Sequence, residues 1–388
     1  NVLINGRRVS GKSNGTIDAL GRVAAASVIR IEIVDGAGLS IPGLSGQVAN
    51  VVVKPKGLSG QWESTNQFRS DTRPSFNGRA SLSGENGPLT WSVQARAFGG
   101  RGAGVGTETV TNAAGQVTDF RRETNNGGGI EPGLSADLTY SGRTGDVLNF
   151  NASVEFPEFG GLEVSRRSGP GQPDRLRVFR DKFTGWRGEI GGDYEFGLGP
   201  GRLKLIGLQR ADNDDSFSEL IQQAADASPL TGSRFLSVGE SGESIARAEY
   251  SLPGLAGGDW QGALEGAFNF SESNSRNETL TSGVFVNSGT PDMTRIEEKR
   301  AEASITHSRK LTPTIDLQVS LAGEYSELSQ DGPGGQTREF VRPKGFASLA
   351  WKPDPDFDLN LRFAREVGQL RFSDFAASQD LADDILTS

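Results

Sequence analysis

The chain has no cysteine, one histidine (His307) and one methionine (Met293). Without thiols, disulfides, zinc–thiolate sites and cysteine nucleophiles are excluded. A single imidazole excludes any metal site built on several histidines. Cationic residues are in deficit, 40 Lys+Arg against 49 Asp+Glu for a net charge of −9. The basic face that nucleic-acid binding requires is therefore missing. No run approaches the roughly 18 apolar residues of a membrane-spanning helix. There is no secretory leader pattern, and residue 1 is Asn1, so the N-terminus is expected to be processed or truncated. Lack of an apolar helix does not exclude a membrane protein, because barrel strands alternate sides and are only half apolar.

What the chain has in abundance is glycine, 53 residues of 388. That content opposes a helical protein, since each helix-interior glycine costs about 0.8–1.0 kcal/mol relative to alanine. From about Leu58 onward the dominant period is two. Leu89, Trp91, Val93, Ala95 and Ala97 alternate with polar residues, as do Leu148, Phe150, Ala152, Val154 and Phe156. The longest clean run is Trp186, Gly188, Ile190, Gly192, Tyr194, Phe196 and Leu198, and the pattern returns at Leu264–Phe270, Leu317–Tyr325 and Phe357–Phe363. Each reads as a strand with one apolar and one polar face.

Short turn-forming segments punctuate these strands. Their centres near Asn86, Arg143, Gly199, Ala256, Thr312 and Asp354 lie 57, 56, 57, 56 and 42 residues apart. A tilted spanning strand needs about 9–11 residues. Two strands and a short turn therefore leave about 30 residues for a second connection. Those segments, such as 99–129, 157–182, 213–243 and 271–297, are polar and Gly-rich and are expected to be long loops. Short turns on one rim and long loops on the other are the asymmetry of an outer-membrane barrel. Trp91, Trp260 and Trp351 each sit near a short turn, as members of an aromatic girdle at the membrane interface would. Counting strands around the turns gives thirteen, an odd number that leaves the sheet open.

The first fifty residues differ. Val2-Leu3-Ile4 is a short strand, Thr16 to Ser27 suits a short helix, and Val28–Val34 and Val48–Val53 are strands. This small α/β unit ends near Pro55-Lys56-Gly57, giving expected domains 1–56 and 57–388. Its motifs are Val2 to Arg8, then Val28-Ile29-Arg30-Ile31-Glu32-Ile33, then Ser45-Gly46-Gln47-Val48-Ala49-Asn50-Val51-Val52-Val53. They resemble the second half of the plug domain of TonB-dependent outer-membrane receptors. Two departures are Asp35-Gly36-Ala37, where that family usually has Arg-Gly-Pro, and Ser45-Gly46 in place of paired glycines.

The resemblance implies a mainly β fold: part of a transmembrane antiparallel β-barrel of about 22 strands, with a plug remnant in the lumen. It implies a receptor for active uptake of a ferric siderophore, haem, cobalamin or an oligosaccharide. Its partners would be the solute, outer-membrane lipid and the TonB-ExbB-ExbD energy-transducing system. No enzyme activity, cofactor, resident metal or nucleic-acid partner is expected. Arg30 and Glu32 would contact inward barrel charges such as Glu155, Arg187, Glu189 and Glu265. The plug loop carrying Arg8, Ser10, Lys12, Ser13 and Asn14 would face the ligand.

Three other readings compete with this one. Gly6 to Ser13 fits G-x-x-x-x-G-K-[ST], a phosphate-binding loop. Its context argues against it, because Asn14-Gly15 is a poor start to the required helix and nothing later alternates strands with helices. The acidic cluster Asp212, Asp214, Asp215 is a candidate for Ca²⁺ but lacks the glycine and distal glutamate of an EF-hand loop. A passive porin is the remaining alternative, and the α/β opening distinguishes it.

Overall fold

The structure is a computed structural model. It describes residues 2–6, 20–21, 23, 25–36, 39, 41, 44, 46–54, 57–70, 72–226, 228–289, 292–332, 335–354 and 357–368. The opening unit is a three-stranded sheet of β1 (Val2–Ile4), β2 (Val28–Asp35) and β3 (Gln47–Val53). β3 is central, parallel to β1 and antiparallel to β2. Leu3, Leu44 and Val48 form its buried core, with Val34, Leu39 and Ile41 packed against them. Of the helix expected over Thr16 to Ser27, the described part is a helical step at 20–21 and a 3-10 turn at Ala25–Ser27.

The rest of the chain is one large antiparallel sheet. Its strands are β4 (Ser59–Gln67), β5 (Ser75–Asn86), β6 (Leu89–Thr111), β7 (Val117–Ser141), β8 (Val147–Glu155), β9 (Glu158–Gly169) and β10 (Gln172–Leu198). They continue with β11 (Gly201–Ala224), β12 (Thr231–Leu255), β13 (Gly258–Thr281), β14 (Val284–Asn287), β15 (Asp292–Thr312), β16 (Ile315–Asp331), β17 (Thr337–Asp354) and β18 (Phe357–Arg365). Fifteen strands pair in all; with β9 and β14 set aside, thirteen form a single path of neighbours from β4 to β18. Thirteen is the number the turn spacing predicts. β8 and β9 are successive segments between β7 and β10, interrupted at Phe156-Pro157.

The hairpins beside the short turns are tight. β12 and β13 join through Ala256 and Gly257, whose φ angles are 56° and 80°. Positive φ at both central residues is the type I′ hairpin turn, which follows the twist of the flanking strands.

The segments expected as long loops are instead strands. β6 and β7 pair from Leu89↔Tyr140 to Thr111↔Val117, through all of 99–129 but the turn at 112–116. β10 has 27 residues, β11 24 and β12 25. At about 3.4 Å per residue a 27-residue strand runs about 90 Å, nearly three times what a spanning strand needs. The period-two signal fades there because both faces of these ribbons carry polar residues, so only backbone pairing marks them as sheet.

Burial on the large sheet is inverted relative to a soluble core. On β10, Glu189 is 2% exposed and its neighbour Ile190 is 56% exposed. On β16, Ser320 is 7% exposed and Leu321 65%. Leu264, Ile305, Tyr194 and Phe363 share the exposed face, while Asn151, Asp193, Asn269 and Glu324 share the buried one. The apolar sets read from the sequence therefore lie on the outer face, the charged sets on the inner one. Val93 is among the exposed hydrophobics, and Ser92, on the opposite face, bonds Asp137. This is the pattern of a sheet with lipid outside and polar groups inside.

Candidate functional site

Inner-face residues are set opposite one another by register. One cross-strand row is Arg247, Glu265, Glu302, Glu324 and Arg342 on β12, β13, β15, β16 and β17. Three glutamates in adjacent positions would repel, and cations from the neighbouring row separate them. Arg247 Nη1 and Arg300 Nη2 bind Glu265 at 3.2 and 2.9 Å. Lys344 Nζ binds Glu302 at 2.9 Å and also Glu324, which Arg342 holds at 3.0 Å. On the same face, nearer the first strands, Arg96 pairs with Glu155 and lies 3.5 Å from Glu131. Arg187 lies 3.9 Å from Glu131. The wall thus neutralises itself strand by strand.

The opening three-stranded unit touches this same face. The Gln318 side chain, fully buried on β16, directs Nε2 at Leu39 O (3.3 Å), Ile41 O (3.4 Å) and Ser308 Oγ (3.1 Å). Gln61 Nε2 on β4 donates to Gly21 O at 2.7 Å. Gln61 reaches Glu189 through the directly opposed Ser81, Gln94, Ser135 and Ser153, so it is on the inner face too.

Arg30 and Glu32, expected to meet barrel charges, bond nearer by among the described residues. Arg30 Nε donates to Glu32 Oε1 at 2.6 Å, and Asn50 Nδ2 donates to Glu32 Oε2 at 2.9 Å. These hydrogen bonds, Arg30 first and then Asn50, hold the Glu32 carboxyl below its ordinary range. The pair is thus engaged within the three-stranded sheet, while Glu155, Arg187 and Glu265 are engaged within the large one, where Glu189 is also buried. Charge at these positions was legible in the sequence; the partner was not, because i, i+2 and cross-strand neighbours are nearer than the other domain. The amide donors were missed, since no local signal separates Gln318 from other polar strand residues. Arg8, Ser10, Lys12, Ser13 and Asn14, and with them the phosphate-loop motif, lie outside the described residues.

Trp91, Trp260 and Trp351 all lie next to short turns. The Trp260 ring stacks on His307 at 4.3 Å, its Nε1 donating to Leu255 O at 3.2 Å. Trp351 meets Phe357 edge-on at 5.6 Å. Three tyrosines were missed at this level. Tyr140 directly opposes Leu89 at a turn, Tyr194 stacks on Phe196 at 5.2 Å, and the Tyr250 hydroxyl donates to Leu198 O at 2.9 Å. Their place two to six residues before a turn was the available signal.

Asp212 and Asp214 share a face, with Asp215 opposite. Among the described residues no group of three or more His, Cys, Asp or Glu side chains is arranged to hold a metal ion. Asp212 lies 3.9 Å from Arg210.

No protein-family model matches the chain. No curated protein matches it. Among solved structures it is similar to the siderophore receptor PiuA from Acinetobacter baumannii, with 10% identity and a TM-score of 0.41 over 91% of this chain. The chain spans 55% of that receptor's length. It is also similar to the ferric yersiniabactin uptake receptor FyuA from Yersinia pestis (11% identity, 87% of this chain and 73% of that one, TM-score 0.26). A third similar structure is the copper transporter OprC (11% identity, 94% and 70%, TM-score 0.25). Likeness of this degree assigns no activity.

Proposed function

We propose that the chain is the plug end and the adjoining wall of an outer-membrane receptor that takes up a scarce solute. Residues 1–56 act as plug and 57–388 as barrel wall. The apolar outer face sits in lipid, with the Trp and Tyr residues near the short turns at its interface. The long polar hairpins stand outside the membrane and receive the solute. The polar inner face, its charges already paired, forms a wet wall along which a solute released from the hairpins can pass. Uptake is powered by the TonB-ExbB-ExbD system acting on the plug, and the solute is a ferric siderophore, haem, cobalamin or an oligosaccharide. The observation that carries this reading is the hydrogen bonding of plug residues Leu39 and Ile41 to Gln318 on the inner face. A passive porin has no such second sheet against its wall.

No covalent chemistry is required. Binding at the hairpins supplies selectivity, and plug movement supplies the path. The test is uptake by cells carrying the full-length gene, with the TonB system intact or deleted. Accumulation of the solute above its external concentration only in the intact strain is expected. Equal accumulation in both strains would leave a passive pore and sink the proposal.

A further inference from the structure

Above the wall, the inner face of the hairpins carries a band without cations. Phe179, Asp181 and Phe183 share the parity of the buried Glu189 on β10, whose register with β11 runs unbroken, so they belong to the inner face. Phe183 stands fifteen residues before the strand's end at Leu198, beyond the roughly 9–11 of a spanning strand. Three successive cross-strand rows run through these residues from β6 to β13, and none contains Lys or Arg. Glycine predominates in them on β6 and β7, and serine on β11 and β12.

Aromatic rings gather around Asp181 in this band. Phe159 on β9 directly opposes Phe183, with 6.5 Å between the ring centroids. Its ring is 40% exposed and lies over Gly129, where a Cβ would overlap it. Gly161 directly opposes Asp181, and a Cβ there would stand 2.6 Å from Asp181 Oδ1, so the carboxylate takes that space. Beside the rings, a Cβ on Gly100, Gly102 or Gly104 would meet nothing within 4 Å, which leaves an open floor.

The carboxylates here are not balanced. Asp181 is exposed and has no hydrogen bond or ion pair among the described residues. Glu163, the other acid of the band, faces Arg177 at 3.7 Å. One row below Phe183, Asp214 leans over Gly185, its Oδ1 buried and without a hydrogen-bond partner among the described residues. Burial, then the charge of Asp212, holds the Asp214 carboxyl above its ordinary range. Aromatic surface left open in water marks a binding surface.

We infer that Asp181, with Phe159, Phe179 and Phe183, forms a recognition site for an organic cation, an alkylated ammonium group, at the mouth of the receptor. Residues two apart on a strand are about 7 Å apart, so a cation held on the Asp181 carboxylate has a ring on either side along β10. Ring faces attract a cation within about 6 Å of their centroids, and alkylated ammonium groups suit such surroundings. A hard metal cation wants six or more oxygen ligands, which one carboxylate among three rings does not offer. This inference rests on the uptake reading for its setting, and it narrows the solute to a cationic class.

The full-length protein, purified in detergent, is titrated calorimetrically with choline and with its neutral isostere 3,3-dimethylbutan-1-ol. Choline is expected to bind about tenfold or more tightly than the alcohol, which matches its shape without its charge. Asp181→Asn should weaken choline binding about tenfold. Phe183→Leu, which keeps an apolar side chain and removes the ring, should weaken it several-fold, whereas Lys182→Gln, on the opposite face of β10, should leave it unchanged. The comparison of choline with the alcohol uses the unsubstituted protein and so survives misfolding of any variant. Absence of choline binding, equal binding of the alcohol, or unchanged affinity in folded Asp181→Asn would overturn the site. Equilibrium binding needs no energy source, so loss of the uptake proposal through passive transport leaves this measurement standing, and the converse holds.

Discussion

Leu264 is 66% exposed, and its neighbour Glu265 is held between Arg247 and Arg300. Adjacent residues thus meet different solvents, and substitutions should report which is which. Leu264→Arg places a charge in the lipid-facing belt and should cost about 2–4 kcal/mol. Gln94→Lys, on the inner face, should change stability by about 0.5 kcal/mol or less. Urea unfolding of the protein in lipid vesicles measures both, and equal costs would refute the assignment of faces. This level was legible in the sequence, because a strict period of two leaves one choice of face per strand. Gln318 was not legible. Its carbonyl partners lie 279 and 277 positions away, and only the folded wall brings them together. The chain has no native cysteine, which allows a clean test with Gln318→Cys and Ile41→Cys in the full-length receptor. Oxidation should lock the plug loop to β16 and stop uptake, and reductant should restore it. Full uptake with the cross-link complete would show that this contact need not open.

At the scale of elements, the sequence read the short turns correctly and misread what lies between them. Segments 99–129 and 157–182 carry glycines that suggest loops, but apart from Gly115 and Gly171 at turns those glycines occupy a sheet. Gly102 opposes Gly127, which opposes Gly161, and Gly128 opposes both Arg101 and Gly160. A Cβ on Gly128 would stand 2.6 Å from Gly100 O, one on Gly160 2.9 Å from Asp181 O, and one on Gly129 would overlap Phe159 and Glu158 O. The glycines therefore permit close approach of β6, β7, β9 and β10 backbones, a use that local sequence does not distinguish from a flexible loop. Gly129→Ala should force β7 and β9 apart at a cost of about 1–3 kcal/mol. The expected result is faster amide exchange in β9 and the upper part of β7, with β8 and the lower wall unchanged. Unaltered exchange throughout β9 would mean the strands relax around the methyl group.

For the molecule as a whole, the decisive feature is the path of thirteen strands. Among the described residues β4 pairs with β5 alone and β18 with β17 alone. Among those residues each therefore presents a row of unpaired backbone N–H and C=O groups. In an antiparallel path of thirteen, the first and last strands point the same way, so direct closure would require one parallel pair. Single-chain bacterial barrels instead contain even numbers of strands. Unpaired groups cannot be satisfied by lipid, where each costs several kcal/mol. The exposed Trp62 on β4 and Phe363 on β18 add apolar surface at these edges. Residues 1–388 folded alone should therefore self-associate through β4 and β18, the usual fate of an uncovered edge. Light scattering in detergent should show oligomers that grow with protein concentration, and Gln61→Pro, which removes an N–H from β4, should reduce them. A monodisperse monomer that resists SDS until heated, with slow amide exchange along both β4 and β18, would show instead that these strands find each other and close the sheet.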